Sequence, residues 1–395
     1  MTARDFAIVP RDGFFFNSAR GWYTAASGKA AALEWPFPST IHGALRTSCG
    51  RAAETATGSR FTARDWETQT AGVHVDFSLP LRRRIGEPWG SDHVMWRSPA
   101  DAVCLASHDE MIPLNPKKST VATLGMVDDA RELLWWPILQ DRAKPLPPVG
   151  YWTHREVVDW LSGKRVIKMD PEERESRTLP VRLEPHVTLE ADTLTAEEGG
   201  LFCAMIRETL VHHHGTVFEW GILARSEVGT LTPEDVVTLG GDRRLARLET
   251  VDLGLDALPR ALADSFSRGP TGLRVLCVSP AYFENGWLPD GFGSTDDGEG
   301  FVGKLPGLAS DIILRAAIVP RPEHVSGWDM AKDRGRGAPK PSLRLVPAGA
   351  IYFFAKRDGS PFTQTDAKTL WLSAWGQNNH QGFGRIVPGV WTPEV

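Results

Sequence analysis

Apolar runs mark strands at both ends of the chain, separated by a long stretch of broken patterning. The first run spans Phe6 to Phe16 and predicts a strand. After it comes Trp35-Pro36-Phe37-Pro38-Ser39-Thr40, in which the prolines fix extended backbone. Ser39 or Thr40 is placed to cap a helix whose Ile41, Ala44 and Leu45 share one face. From about residue 47 to 177 the periodicity fails. Val73 to Leu79 reads as a short strand, Lys144 to Pro148 as proline-rich turns, and the charged stretch Asp170 to Arg177 as a linker. A second unit follows. Leu201 to Leu210 and Thr216 to Arg225 predict two strands joined through His212-His213-His214-Gly215, and Thr232-Pro233-Glu234-Asp235 predicts a short helix with Pro at its first position. Leu245 to Val251 is a half-buried strand by its alternation, and Pro259 to Ser267 is helical. Leu273 to Val278, Ile312 to Val319 and Leu343 to Phe354 are strands, the last bent at Pro347-Ala348-Gly349. Asp290 to Gly300 and Lys332 to Pro341 carry few ordering signals. Strands interrupted by only a few short helices predict an α+β fold, with no sequence repeat and two domains divided as 1–177 and 178–395.

Composition narrows the picture in one respect. The chain has 395 residues and a net charge of −5, so bulk charge does not coat nucleic acid and any such site is a local basic patch. Its four cysteines, Cys49, Cys104, Cys203 and Cys277, lack metal-ligand spacing, and Cys203 and Cys277 sit in apolar runs. No cofactor is implied, and a reducing, cytoplasmic setting is expected. No apolar run is long enough for a membrane span, and the N-terminus has no export pattern.

Several constellations carry chemistry. The C-terminal run Gly376-Gln377-Asn378-Asn379-His380-Gln381-Gly382-Phe383-Gly384-Arg385 offers glycines that let backbone N–H groups approach a phosphate, polar reach, and a cation. A dinucleotide fingerprint needs a following helix, which Pro388 forbids. A tight hairpin without ligand remains the alternative. Gly240-Gly241-Asp242-Arg243-Arg244 reads as a helix end beside two cations, and one alternative is a cap followed by a solvated strand edge. Ser326-Gly327-Trp328-Asp329-Met330 precedes Lys332, Arg334, Arg336, Lys340 and Arg344. An aromatic beside a basic segment suits single-stranded RNA. Arg82-Arg83-Arg84 fits either a solvated face or an RNA strip. His212 to His214 invites a metal-dependent hydrolase reading, but consecutive strand histidines point to opposite faces and a turn suits them better. His42 is placed to act as a general base, as in an RNA-processing endonuclease.

These segments, in this order, resemble the RAMP superfamily of CRISPR proteins. Within it they resemble the type III-B (Cmr) effector subunit family that caps the 5′ end of crRNA. The resemblance rests on Asn17-Ser18-Ala19-Arg20-Gly21-Trp22, on Pro36 to Arg46, on Thr238 to Arg244 and on Ser326 to Met330. Leu345 to Phe354 and Gly382-Phe383-Gly384 with Gly389-Val390-Trp391 complete it. Residues 51–170 and 285–305 carry little of it, and Phe37 stands where the family often has a smaller residue. The resemblance implies two ferredoxin-like (RRM-like) domains with loop and strand insertions, the glycine-rich loop lying between or beside their sheets. It implies a non-catalytic part in antiviral defence: binding the repeat-derived 5′ tag of crRNA and docking a large polymerase-like subunit. An adjacent backbone RAMP subunit is a further partner, and target RNA is met only indirectly. By this resemblance RNA contact is expected at Arg20, Ser39, Thr40, His42 and Arg46, at Arg243 and Arg244, and at Trp328, Lys332, Lys340 and Arg344. It is also expected at Asn378, Asn379, His380, Gln381, Gly382, Phe383, Gly384 and Arg385, with Arg182 and His186 as further candidates.

Overall fold

The computed structural model describes residues 3–16, 29–30, 32–118, 135–139, 141, 143–295, 300–329, 332 and 337–393, with backbone alone at 29–30 and 242. Two antiparallel sheets organise these residues. In the first, Arg4–Pro10 lies between Thr216–Glu227 and Arg244–Val251, with His74–Arg84 on the far side of Thr216–Glu227 and Val236–Leu239 outside Arg244–Val251. Leu210–His213 extends the sheet by pairing with the start of Thr216–Glu227. Alternation along the strands gives this sheet two buried faces. Phe6, Ile8, Trp220, Ile222 and Ala224 pack on the first helix, Pro38–Thr57, through Ile41, Leu45 and Cys49. Ala7, Val9, Phe77, Leu79 and Leu223 face the other way, into the larger core shared with the second sheet.

The second sheet runs in the order Gly293–Ser294, Phe301–Gly303, Ile312–Ile318, Ile351–Lys356, Gly272–Cys277, Arg385–Trp391, Ser373–Ala374. Its central strands are apolar on both faces, which suits burial under the helices Arg260–Phe266, Gln364–Leu370 and His154–Leu161. Capping boxes start two of these helices: Thr153 with Glu156, and Thr363 with Asp366. A buried polar network ties the units together. Asp101, fully buried, accepts from Trp160 Nε1 (2.9 Å) and from Arg274 (2.9 Å) of the second sheet.

Several expectations are corrected. The first helix runs on to Thr57, well beyond its apolar start, and its N-cap is Phe37 with no side-chain cap bond. Pro38 occupies the first turn, so Ser39 and Thr40 lie inside the helix. Residues 170–177 are no linker. Asp170 caps the helix Pro171–Ser176, and Arg177 is buried against Glu156 (2.6 Å) and Glu173. Residues 232–235 form no helix, and 237–244 is no helix end. Val236–Leu239 and Arg244–Val251 are a hairpin closed by a 3₁₀ turn, Gly241–Arg243. The long strand Ala196–Arg207 pairs with Val181–Leu189 and not with Thr216–Glu227, whose hairpin partner is Leu210–His213. Leu343–Phe354 breaks at the expected bend, Leu343–Leu345 pairing with Glu323–Val325 and only Ile351–Lys356 joining the main sheet. As for 177/178, strands from beyond it, Thr216–Glu227 and Arg244–Val251, flank Arg4–Pro10 in a single sheet.

Candidate nucleic-acid interface

The glycine-rich run closes the hairpin between Ser373–Ala374 and Arg385–Trp391, and it lies across the joint of the two units. Toward the first unit, Val75 N–H donates to the His380 carbonyl (2.9 Å) and Val75 bridges Gln381. Toward the second, Gln377 N–H donates to Tyr282 O (3.0 Å), Gly384 N–H to Pro280 O (2.8 Å), and the buried Ser279 hydroxyl to Gly382 O (2.8 Å). The glycines answer to this packing. Gly382 and Gly384 have φ of +90° and +69°. A Cβ at 382 would sit 3.1 Å from Pro38 and Val75 side-chain atoms, and one at 384 would overlap the Trp375 carbonyl. Gly382, Phe383 and Gly384 are therefore buried, Phe383 packing with Phe37, Val325 and Leu345. The face left to a ligand is the tip, where Gln377 and His380 are exposed and Asn378, Asn379 and Gln381 half-buried. Asn379 Nδ2 donates back to Gly376 O (2.9 Å).

Beside the tip lies the first turn of the first helix. Ser39, Thr40 and His42 are half-buried there, and the His42 ring meets that of His380 edge-on at 5.9 Å, with His74 at 6.2 Å from His380. His42 Nε2 lies 2.9 Å from Val73 O and donates to it. Burial pulls the His42 pKa down to about 4 against the opposing effect of that bond, with His380, Arg46 and His74 adding to the fall, so the ring is neutral at pH 7. Burial also lowers His380. Arg385 faces inward. It donates to the Asp76 carbonyl and carboxylate and to Leu372 O (3.3 Å). Asp76 is the residue skipped where the register with Thr216–Glu227 shifts, so Arg385 pins a β-bulge. Burial pushes Asp76 up and Arg385 down, and their mutual attraction only partly offsets it.

The other expected contacts divide into tethered and exposed side chains. Arg46 donates to Thr70 Oγ1 (2.5 Å) and Arg244 to Asp12 (3.1 Å), Gly13 O (3.1 Å) and Glu184 (3.3 Å). Arg182 is held by Glu208 (2.5 Å) and Glu184 (2.9 Å), and His186 stacks on Phe202. These groups are committed to the protein. Arg82 and Arg83 lie over Phe218 and Trp89, Arg83 paired with Glu219 (2.7 Å), so of the Arg82–Arg84 run only Arg84 is a solvated cation. Arg243, Lys332, Lys340 and Arg344 are exposed, as is Trp328, 56% accessible on a two-stranded ladder with Pro339. Arg20, Met330, Arg334 and Arg336 lie outside the described residues. His214 sits in the expected turn, paired with Glu172 (2.5 Å), and no metal-ligating cluster occurs among the described residues.

A profile of the family described as CRISPR-associated protein (Cas_Cmr3) matches residues 6–391. The chain belongs to this family. It is a subunit of the type III-B (Cmr) CRISPR effector. No curated protein sequence matches the chain. Two solved structures are similar to it: a type III-B Cmr-β complex bound to cognate target RNA and AMPPnP, and the same complex bound to cognate target RNA. Identity is 16% and 15% and the TM-scores are 0.41 and 0.39. The alignments span 90% of this chain and 86% and 87% of the other. Within this Cmr3-family chain, sequence reasoning missed the groups on which the loop rests, Val73–Val75, Ser279 and Tyr282. It also missed a cleft of about 580 Å³ between the units, lined by Glu34, Trp35, Phe37, Arg97, Tyr151 and Glu323 among others. Their segments are far apart in sequence and share no motif. The one local signal that could have marked order nearby is Thr153-His154-Arg155-Glu156, a capping box before an apolar run.

Proposed function

We propose that this Cmr3-family subunit binds the repeat-derived 5′ tag of crRNA without cutting it. The large polymerase-like subunit and the adjacent backbone RAMP subunit dock on its remaining surfaces, and target RNA reaches it only through the guide. The observation that carries this reading is the polar tip Gln377–Gln381, held rigidly beside the first turn of the first helix. Ser39, Thr40, His42 and Asn378 to Gln381 offer hydrogen bonds there. The exposed Arg243, Lys332, Lys340 and Arg344, with Trp328 as a stacking surface, supply the charge and aromatic contact that single-stranded RNA needs.

Strand order supports the fold that goes with it. The principal strands of the first sheet run 244–251, 4–10, 216–227, 74–84, and those of the second 385–391, 272–277, 351–356, 312–318. Both follow the fourth–first–third–second order of a ferredoxin-like sheet, each keeping one crossover helix between consecutive strands. On this reading the units divide between the strand ending at 251 and the helix beginning at 260, and the hairpin 181–207 is an insertion into the first. That hairpin exposes Val181, Leu183, Val187, Leu189 and Leu201, a surface suited to a protein neighbour. The neutral, carbonyl-bound His42 supports the non-cutting role, since a general base needs a pKa near the working pH and a free nitrogen aimed at substrate.

Co-purification tests the proposal. RNA recovered with the tagged chain from its native host is expected to share a 5′ repeat-derived sequence, and absence of small RNA contradicts tag binding. Incubation with repeat RNA is expected to leave it intact. Site-specific cleavage abolished by His42→Ala would instead establish the endonuclease.

A further inference from the structure

The cleft between the two units is unlike a phosphate cradle. Its walls come from residues 32–38, 78–80, 97 and 151 on one side and from 278–280, 322–324, 342 and 348 on the other. Its charged residues are Glu34, Glu323 and Arg97, with His324 at the rim. Arg97 is already used. It donates to Glu34 (2.8 Å) and lies over the Tyr151 ring, and those partners outweigh burial to hold its pKa above the ordinary value. The Glu323 carboxylate has no hydrogen bond or ion pair among the described residues, and burial, with Glu34 nearby, raises its pKa against the pull of Arg97. A half-buried carboxylate left in this way is costly unless something neutralises it. Two buried polar atoms of the lining, the hydroxyl of Tyr151 and Trp35 Nε1, also have no hydrogen-bond partner among the described residues.

We infer that this cleft receives an arginine side chain from a protein partner. The balance of two carboxylates against one committed guanidinium favours a cation and repels a phosphate. Trp35, half-buried in the cleft wall, gives an aromatic surface on which a guanidinium stacks. Glu323 supplies a carboxylate without a side-chain partner among the described residues, which a planar fork of donors satisfies better than a single ammonium. An incoming arginine touches both units at once and so strengthens their joint. The inference stands independently of tag binding, which uses the loop tip and the exposed cations.

The test uses the full chain with ¹⁵N-labelled tryptophan. The Trp35 indole resonance is assigned by Trp35→Phe, and the probe is N-acetyl-arginine amide. A saturable shift of that resonance is expected. Its neutral citrulline counterpart is expected to produce none, and Glu323→Gln to weaken the arginine probe by more than about tenfold while keeping the melting temperature, since it removes an unpaired charge. The citrulline comparison needs no variant and stands even if Glu323→Gln misfolds. Three outcomes overturn the inference: AMP shifts Trp35 and the arginine probe does not, arginine and citrulline act alike, or Glu323→Gln binds arginine as the unmodified chain does.

Discussion

Two kinds of residue share the glycine-rich loop, and substitution separates them. Gly384 has a positive φ and no room for a Cβ beside the Trp375 carbonyl. Gly384→Ala is therefore expected to destabilise the protein by at least ~2 kcal/mol, seen as a lower denaturation midpoint. His380→Ala, at the exposed tip, should leave that midpoint unchanged and weaken RNA binding. Gly382→Val and Arg385→Ala are expected to lower stability as well as RNA affinity. Position 382 is closed by Pro38 and Val75, and Arg385→Ala strips Asp76 and Leu372 O of a donor. The latter change is expected to cost roughly 1–3 kcal/mol, measured by urea unfolding. His42 adds a pH signature. Its folded pKa, about 4, lies below the model-peptide value of 6.5, so below that value the unfolded chain binds the extra proton. Its contribution to stability is full above pH 6.5 and is lost progressively down to pH 4. Unfolding midpoints of the native chain should fall more steeply than those of His42→Gln across that window.

At the scale of elements, legibility followed local chemistry. Strands such as Leu245–Val251, Leu273–Val278 and Ile312–Val319 stood out because alternation or continuous apolar character is a local property, and each lies within a residue of its observed span. Partnership was hidden. Ala196–Arg207 and Thr216–Glu227 are near neighbours in sequence, yet Leu210–His213 takes the hairpin position, its turn formed by His214 and Gly215 with positive φ. The Asp170–Arg177 run looked like a solvated linker because the contacts that order it, Arg177 with Glu156 above all, reach across the chain. Within the candidate site, the loop and the first helix were legible as motifs. That Arg244, Arg46 and Arg182 are held by carboxylates or hydroxyls was not, since a basic residue shows nothing of its partner in sequence. The hairpin Val181–Arg207 carries its own prediction. Leu183→Asp with Leu201→Asp should leave the melting temperature within about 1 °C, because both side chains are exposed, and should abolish co-purification of a neighbouring subunit.

At the scale of the whole molecule, two sheets of the same strand order are locked by Asp101–Arg274, by the shared core and by the loop that bridges Val75 and Tyr282. A rigid joint of this kind positions a polar tip and a few exposed cations on a chain whose net charge is −5. Affinity for RNA should accordingly come from a small number of phosphate contacts, each lowering the salt dependence by about one unit when removed. The measurement that bears most directly on this account is fluorescence anisotropy of the purified chain. It is titrated with a guide RNA carrying its repeat-derived 5′ extension and with the same RNA lacking it. The account predicts that the tagged RNA binds at least about tenfold more tightly, ~1.4 kcal/mol, and that Gln377→Ala with His380→Ala removes the difference. Equal affinity for the two RNAs would contradict it.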